Sequence, residues 1–489
     1  MLGHKAKVFT LHTFRLEDLV PADNFYRHVE QCLDLRFVRD LVCGCYAARG
    51  RPSIDPIVFF KLQLIAFFEG IRSERQLMAT VNVNLAHRWF IGYDLTESVP
   101  DHSSLSKIRE RYGLATFQRF FEQIVERCIQ AGLVWGEELY FDSTKVQANA
   151  AIDGLIPRVE WEAQQHLQVL FEAQANTAAK VAEPEAPLTE SPSLQQPIEP
   201  ATDSPVPQNA YDLVTKYNGA RLTGVRKPAS ERLTDQQVCP TDPDAAPMKP
   251  SGGGAAVMGY SDHYVVDGGQ HRIILSALVT PASIMDNTPL LDLVRWVCAR
   301  WPVHPKQATG DTKYGTVPNI VGLEQMGIRA YVPITDLSHR TKFYPAERFQ
   351  YQAEPDHYVC PQGQPLGVYS RRQSEQVIVY AAEPAVCNAC PAKAECTDSQ
   401  SGRHIFRSFF QEYLDRVKAY HETEAYQKAM RKRALWTEPL FGEAKQYHRL
   451  SRFRLRGLFK VNIEGVLIAA GQNLKRLLRY LETKMANTS

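Results

Sequence analysis

Two aspartates and a group of cysteines are the residues through which this chain could do chemistry. Asp142 closes a short apolar run, Leu139-Tyr140-Phe141, and Asp311 closes a weaker one that starts at Lys306. In α/β sheets, functional groups collect at strand ends. Two carboxylates brought together there repel unless a cation lies between them, and their hard oxygens suit Mg²⁺ or Mn²⁺. A third carboxylate from a late helix would complete a two-metal centre for in-line phosphoryl transfer, with ions roughly 4 Å apart. Taken singly, each aspartate is more simply a turn former or a helix cap.

Cys360, Cys387, Cys390 and Cys396 form the second group. Four thiolates, two of them at a C-x-x-C spacing, are what a tetrahedral structural Zn²⁺ requires. The wide gap before Cys387 leaves four reduced thiols as the other reading. Either way the group is a clip rather than a catalytic centre. A third feature is basic: Lys445, His448, Arg449, Arg452, Arg454, Arg456 and Lys460 crowd together, with Tyr447 and Phe453 among them. Positive charge binds phosphate and aromatic rings stack on bases, so this stretch suits a DNA-binding surface. The plainer reading is a solvated basic loop. His102, His263 and His448 lie near these features and suit hydrogen bonding or phosphate contact better than metal ligation.

The elements that must carry these residues fall into blocks. Residues 1–133 read as a helical domain. Asp55-Pro56 opens a helix with an apolar face through Ile57, Phe60, Leu64 and Phe68, stopped at Gly70. Ser73 and Gln76 cap the next, which carries Leu77, Val81, Leu85 and Trp89 on one face. A third helix runs from Asp101-His102-Ser103 to Gly113 and presents Lys107, Arg109 and Arg111. Short helices with tight turns and basic residues on the third suit a helix-turn-helix-like DNA-binding module, and equally a small bundle with a charged face.

Residues 134–334 read as strands and helices, with strands at 139–142, 263–266, 272–279, 306–311 and 329–334 and helices at 287–301 and 317–326. An insertion over 151–256 interrupts them, with an exposed helix at about 159–181 and a proline-rich, acidic linker at 183–208. Residues 335–405 are a polar insertion holding the four cysteines, and 406–489 supply two long helices at about 410–445 and 458–482. Strand, strand, strand, helix, strand, helix, strand, helix is the order of an RNase H-like mixed-sheet α/β core, although other α/β folds share much of it.

Composition sets limits. At 489 residues, 44% hydrophobic and 22% charged, the chain can bury several cores. Its net charge of +2 means that any basic surface is local. No apolar run approaches the ~20 residues that span a membrane, and Ile57 to Phe68 is interrupted by Lys61 and Gln63. No membrane partner is expected. The start, Met-Leu-Gly-His-Lys, lacks a signal-peptide core, so a cytoplasmic setting with reduced cysteines is expected.

Several ordered motifs carry a resemblance to a known family. Tyr-Phe-Asp-Ser-Thr-Lys-Val-Gln-Ala-Asn-Ala around Asp142 looks like the first-aspartate motif of bacterial insertion-sequence DDE transposases. The run Ala308 to Gly315, with Asp311 followed by Tyr314 and Gly315, resembles their second. Glu438, followed by Pro439, Leu440, Phe441, Gly442 and Lys445, is similar to their glutamate motif. Phe68 to Leu77, with Glu69, Gly70, Arg72, Ser73, Glu74 and Arg75, and Val99 to Lys107 resemble the helical domain of the insertion sequence eleven-eighty-two branch of the insertion-sequence-four-like superfamily.

In related transposases a lysine seven residues after the glutamate contacts DNA, which is close to two turns at ~3.6 residues each. Glu438 has Lys445 at that offset and Glu443 has Leu450, so Glu438 is the choice. The family's arginine and tyrosine before the glutamate are replaced by Ala434 and Arg431. Glu438-Pro439 places the glutamate at a helix start or kink, since proline disfavours helical geometry before it.

The resemblance implies a transposase that cuts double-stranded DNA at element terminal inverted repeats and joins the ends to target DNA. Asp142, Asp311 and Glu438 would hold Mg²⁺ or Mn²⁺. Lys107, Arg109, Lys445, Arg449, Arg452, Arg454 and Arg456 would contact DNA, and a homodimer would act on paired ends. A metal-dependent nuclease of the same fold, or a domesticated binder without catalysis, are the rivals.

Overall fold

The computed structural model describes residues 14–47, 49, 53–179, 210–222, 237–250, 253–335 and 342–488. The proline-rich segment 183–208, read above as a linker, lies outside them. The chain gathers into two compact units: Met1–His304 with Ala434–Ser489, and Pro305–Arg433.

In the first unit, helix α1 (Pro56–Phe68) begins where Asp55 accepts a hydrogen bond from Ile57 N at 2.9 Å, with proline in the first turn. Its expected one-sided apolar face is not what the structure has. Val58, Phe59, Phe60, Leu62, Leu64, Ile65 and Phe67 are all buried. A helix buried all round needs partners on several sides. Phe60 stacks on Phe120 at 4.5 Å, and Phe67 fills the space beside Gly471, where a Cβ would come within 2.5 Å of its ring.

The single helix predicted from Ser73 through Trp89 is two, α2 (Glu74–Val83) and α3 (Leu85–Ile91). Asn84 makes the break, because its side chain accepts from His87 N at 3.1 Å and caps α3. Helix α4 (His102–Gln130) opens at Asp101, which accepts from Ser103 N at 2.8 Å, and turns at Gly113, where φ is 65°. The predicted helix end at Gly113 is thus a bend between two helical stretches.

Three long strands, β1 (Glu138–Gln147), β2 (Val257–Asp267) and β3 (Ile274–Pro281), carry the sheet of this unit, with the short strand Ala246–Met248 paired to the start of β2. Strand β2 pairs antiparallel with β1, from Leu139↔Asp267 to Gln147↔Gly259, and with β3, from Tyr260↔Pro281 to Val266↔Ile274. Asp142 therefore stands inside β1, not at its end, because β2 continues to offer a partner as far as Gly259.

Helices α5 (Glu424–Tyr447) and α6 (Leu458–Thr488) close the chain. The long helix predicted over 410–445 is divided near Thr423, whose hydroxyl accepts from Tyr426 N at 3.2 Å, into Gln411–His421 and α5. Helix α6 lies along β3. The Asn462 amide donates to Val279 O at 2.9 Å and accepts from Val279 N at 2.8 Å. Asn473 does the same with Ile274, both bonds being 2.8 Å.

Helix α6 in turn holds the part of α5 that belongs to this unit. Gln472 donates to Leu440 O at 2.8 Å, while Lys475 and Arg476 reach Glu443 at 2.8 and 3.0 Å. Burial alone would raise the Glu443 carboxyl. His448, Arg476 and Lys475 outweigh it and hold the group well below the usual carboxylate range.

In the second unit the strands Gln307–Thr309 and Arg329–Tyr331 run parallel, linked through the helix Val317–Gln325. Beyond them the expected polar insertion folds into an antiparallel five-stranded meander from Gln350–Gln352 to His404–Ser408. It has a small core of its own, including Phe349, Tyr358, Leu366, Tyr380 and Ile405.

Two predictions follow from the way α6 is held. Asn473→Leu leaves the buried Ile274 N–H and C=O without partners and should cost roughly 2–5 kcal/mol, read from urea denaturation of the full chain. An unchanged midpoint would remove the asparagine from this account. A carboxyl held low in the folded state contributes fully above its unfolded pKa of ~4.3 and loses that contribution as pH falls through the lower folded value. Glu443→Gln should therefore lower Tm at neutral pH, with the gap from wild type narrowing below about pH 4. A gap that stays constant with pH contradicts the ion-paired state.

Candidate active site

Asp142 is half-buried in β1 and faces α5. Its Oδ1 accepts from Ser143 N at 2.9 Å, and its Oδ2 accepts from the Thr437 hydroxyl at 3.0 Å. Thr437, Leu440, Phe441 and Ala444 form the buried stripe of the helix, at helical spacing. Glu438 is the next residue round and is exposed. The first unit thus brings Asp142 and the glutamate's helix together through a neighbour that no motif marks.

Pro439 does not start the helix; α5 runs through it. A proline inside a helix leaves the carbonyl four residues back without its N–H. That carbonyl, Leu435 O, accepts instead from the Arg272 guanidinium at 3.3 Å. Trp436 Nε1 donates to Gly269 O at 2.9 Å. The turn between β2 and β3 therefore supplies what the proline removes, and it fixes the segment that carries Glu438.

Lys445 lies on the Glu438 side of α5. Burial lowers its pKa, opposed by the charges of Asp142 and Asp262. Asp262 is a residue that sequence reading missed. It sits in β2 opposite Thr144, on the same sheet face as Asp142, which is opposite Tyr264. It is fully buried, and neither carboxylate oxygen has a hydrogen-bond partner among the described residues. Burial pushes its pKa well up, against the pull of Lys445. An aspartate amid the buried run of β2 is the signal that could have flagged it.

The basic stretch divides by use. Arg449, Arg452 and Arg456 are exposed, and among the described residues the side chains of the last two donate only to Asn149, at 3.2 and 3.0 Å. Ser451 O and Phe453 N bond Gln147 at 3.1 and 2.8 Å, stitching the stretch to the end of the Asp142 strand. Arg454 pairs with Glu74 at 3.0 Å and Lys460 with Glu110 at 2.6 Å. Phe453 is buried against Tyr260 and cannot stack on a base. Lys107 is exposed, but Arg109, expected at the DNA surface, is buried and paired with Glu74. Its charge is spent inside the protein.

The N-terminal motif residues mark that same seam. Glu69 accepts from Tyr26 OH at 2.6 Å, a Cβ on Gly70 would stand 2.8 Å from Tyr447 O, and Arg72 donates to Arg452 O. His448 stacks on Phe67 at 3.8 Å. The motif is a joint between the helical domain and the end of the chain.

Asp311 belongs to the second unit. Its Oδ1 accepts from Lys313 N at 2.9 Å and caps the turn Thr312–Tyr314. The Tyr314-Gly315 pair has a local cause, since a Cβ on Gly315 would lie 2.0 Å from Pro333 O. The four cysteines also lie in this unit and line one pocket. Cys360 Sγ accepts from Gln362 N at 3.4 Å and Gln364 N at 3.3 Å. The Cys396 thiol is pushed up by burial and, after an opposing pull from Arg403, by the other three cysteines. Among the described residues no group of three or more His, Cys, Asp or Glu is arranged to hold a metal ion. No described helix is long and apolar enough to cross a membrane.

No curated protein and no solved structure matches the chain. Residues 14–111 match the family described as "Transposase domain (DUF772)", which ends close to the Arg109–Glu74 seam. Residues 359–478 match the family described as "Transposase DDE domain", which takes in the four cysteines, Glu438, the basic stretch and most of α6. Both matches are thus to transposase domains, the second of the DDE type.

Proposed function

We propose that this transposase, of the insertion sequence eleven-eighty-two branch, cuts double-stranded DNA at the terminal repeats of its element and joins the freed 3′-hydroxyls to target DNA. Its core is proposed to be RNase H-like, with Asp142, Asp311 and Glu438 as the catalytic carboxylates and a homodimer acting on paired ends. The observation that carries the reading is the 3.0 Å bond from Thr437 to Asp142, which sets the Glu438 helix beside the first aspartate in a chain with two transposase domains.

The donor set fits Mg²⁺ or Mn²⁺ in kind, being carboxylate oxygens. The charges of Asp142 and Asp262 both act on Lys445, which suits a site built to gather positive charge. A divalent cation held there would lower the pKa of the attacking water or hydroxyl and neutralise charge at phosphorus. Lys445, Arg449, Arg452 and Arg456 would hold the phosphate backbone, and Glu443, locked to α6, takes no part.

Cleavage of DNA carrying the element ends, with Mg²⁺, tests this reading. Asp142→Asn, Asp311→Asn and Glu438→Gln should each cut at background level while binding the ends as wild type does. Retained cutting by any one of them removes that residue from the site. Joined product from the wild type, absent from all three variants, is the outcome expected of a transposase and not of a simple nuclease.

The cysteine pocket is proposed as a structural Zn²⁺ site. The four cysteines line one pocket without being drawn together as ligands, and Cys360 Sγ already accepts two backbone N–H bonds, as a ligating thiolate does. Zinc measured by atomic emission on purified protein should approach one equivalent and be lost in Cys387→Ser. A zinc-free wild type that folds normally would leave four reduced thiols.

A further inference from the structure

On the other side of α5 from Glu438 and Lys445 lies a cleft of about 430 Å³. Lys445 follows Glu438 by close to two full turns and shares its side, whereas Tyr447 comes two and a half turns on, at ~3.6 residues per turn, and faces away. Arg272 enters the cleft from the β2–β3 turn, Tyr447 from the end of α5, and Lys475, Arg476, Arg479 and Tyr480 from α6. Four cations here meet one carboxylate, Glu443. It is engaged by Lys475 and Arg476, which leaves the charges of Arg272 and Arg479 uncompensated. Arg272 gives one N–H to the neutral Leu435 carbonyl. Arg479 is exposed, and its guanidinium has no partner among the described residues. Tyr447 is 57% exposed, with the Lys475 ammonium 5.7 Å from its ring.

Guanidinium groups without carboxylate partners in a concave site suit phosphate oxygens, and an exposed aromatic ring beside them suits a chain of phosphates that carries bases. The cleft follows α6 from Lys475 to Thr483, about 12 Å at ~1.5 Å per residue, which is about three steps of a duplex strand. A single free phosphate needs far less length. We propose that this cleft is a second DNA-backbone site, separate from the carboxylate face, which grips DNA through Arg479 and Arg272. The proposal rests on the transposase reading, in that its ligand is DNA.

The test uses the full chain and a duplex of generic sequence, with affinity measured by fluorescence anisotropy over a range of salt. Arg479→Glu should weaken binding about tenfold at low salt and reduce the salt slope by about one phosphate contact, while Arg479→Lys keeps the slope. Inorganic phosphate at millimolar concentration should not displace the duplex. Unchanged affinity and slope in Arg479→Glu, alongside losses in Arg452→Ala, overturn the cleft and leave the transposase reading intact. Displacement by inorganic phosphate would make it an anion site instead. Absence of DNA binding by the wild type would overturn both readings.

Discussion

Two asparagines on α6 stand in for the strand that β3 lacks on its far side. Asn462 and Asn473 each make the paired bonds that a neighbouring strand would make, to Val279 and Ile274. The spacing works because eleven residues of helix at ~1.5 Å and five of strand at ~3.3 Å both span about 16 Å. Residues five apart on a regular strand point in opposite directions, so the match needs one more feature. The register with β2 slips between Val265 and Val266, which leaves Leu275 unmatched and turns Ile274 to the same side as Val279. The displaced Leu275 carbonyl is taken by Trp301 Nε1 at 3.0 Å. Bulge, tryptophan and asparagines thus form one device, and it fixes helix α6 on the sheet.

What depends on α6 is the place of Glu438. Helix α5 reaches the sheet through the Thr437–Asp142 bond, but its height and rotation are set by Gln472, Lys475 and Arg476. This division of labour explains why one helix carries two glutamates of opposite fate. Glu443 is held ionised by three partners on the α6 side. Glu438, five residues earlier, is turned about 140° away at ~100° per residue and is exposed. The proline between them is tolerated because Arg272 takes the orphaned Leu435 carbonyl. The same arginine lines the basic cleft, so one side chain serves both the helix and the charge beside it.

Much of this was legible in the sequence, and the misses have physical causes. Caps at Asp55, Ser73 and Asp101 could be read because a side chain and the backbone two or three residues on are local partners. The break at Asn84 is equally local but was hidden by an apolar period that runs straight through it. Ser143, Thr144 and Lys145 look like a turn in the sequence, whereas pairing with β2 extends β1 through them to Gln147. Choosing Glu438 over Glu443 rests on the Lys445 offset, whereas the ion cluster that occupies Glu443 joins segments far apart in the chain. Nothing local marks Thr437 or the asparagines of α6, since their roles exist only once distant segments meet.

The sorting of charge follows from the same meeting of segments. A chain of net charge +2 cannot present DNA with basic surface everywhere. Several arginines that look available in the sequence are committed inside. Arg88 is buried among the carbonyls of Asn82, Asp94, Leu95 and Glu97, and Arg109 and Arg454 both converge on Glu74. These pairs neutralise charge where it would have to be desolvated. They leave Lys107, Arg449, Arg452, Arg456 and Arg479 on the surface with no carboxylate against them among the described residues. Because Glu74 draws Arg454 inward while Gln147 holds Ser451 and Phe453, the arginines on either side are turned outward next to the end of the Asp142 strand. The buried seam is therefore also what aims the exposed cations.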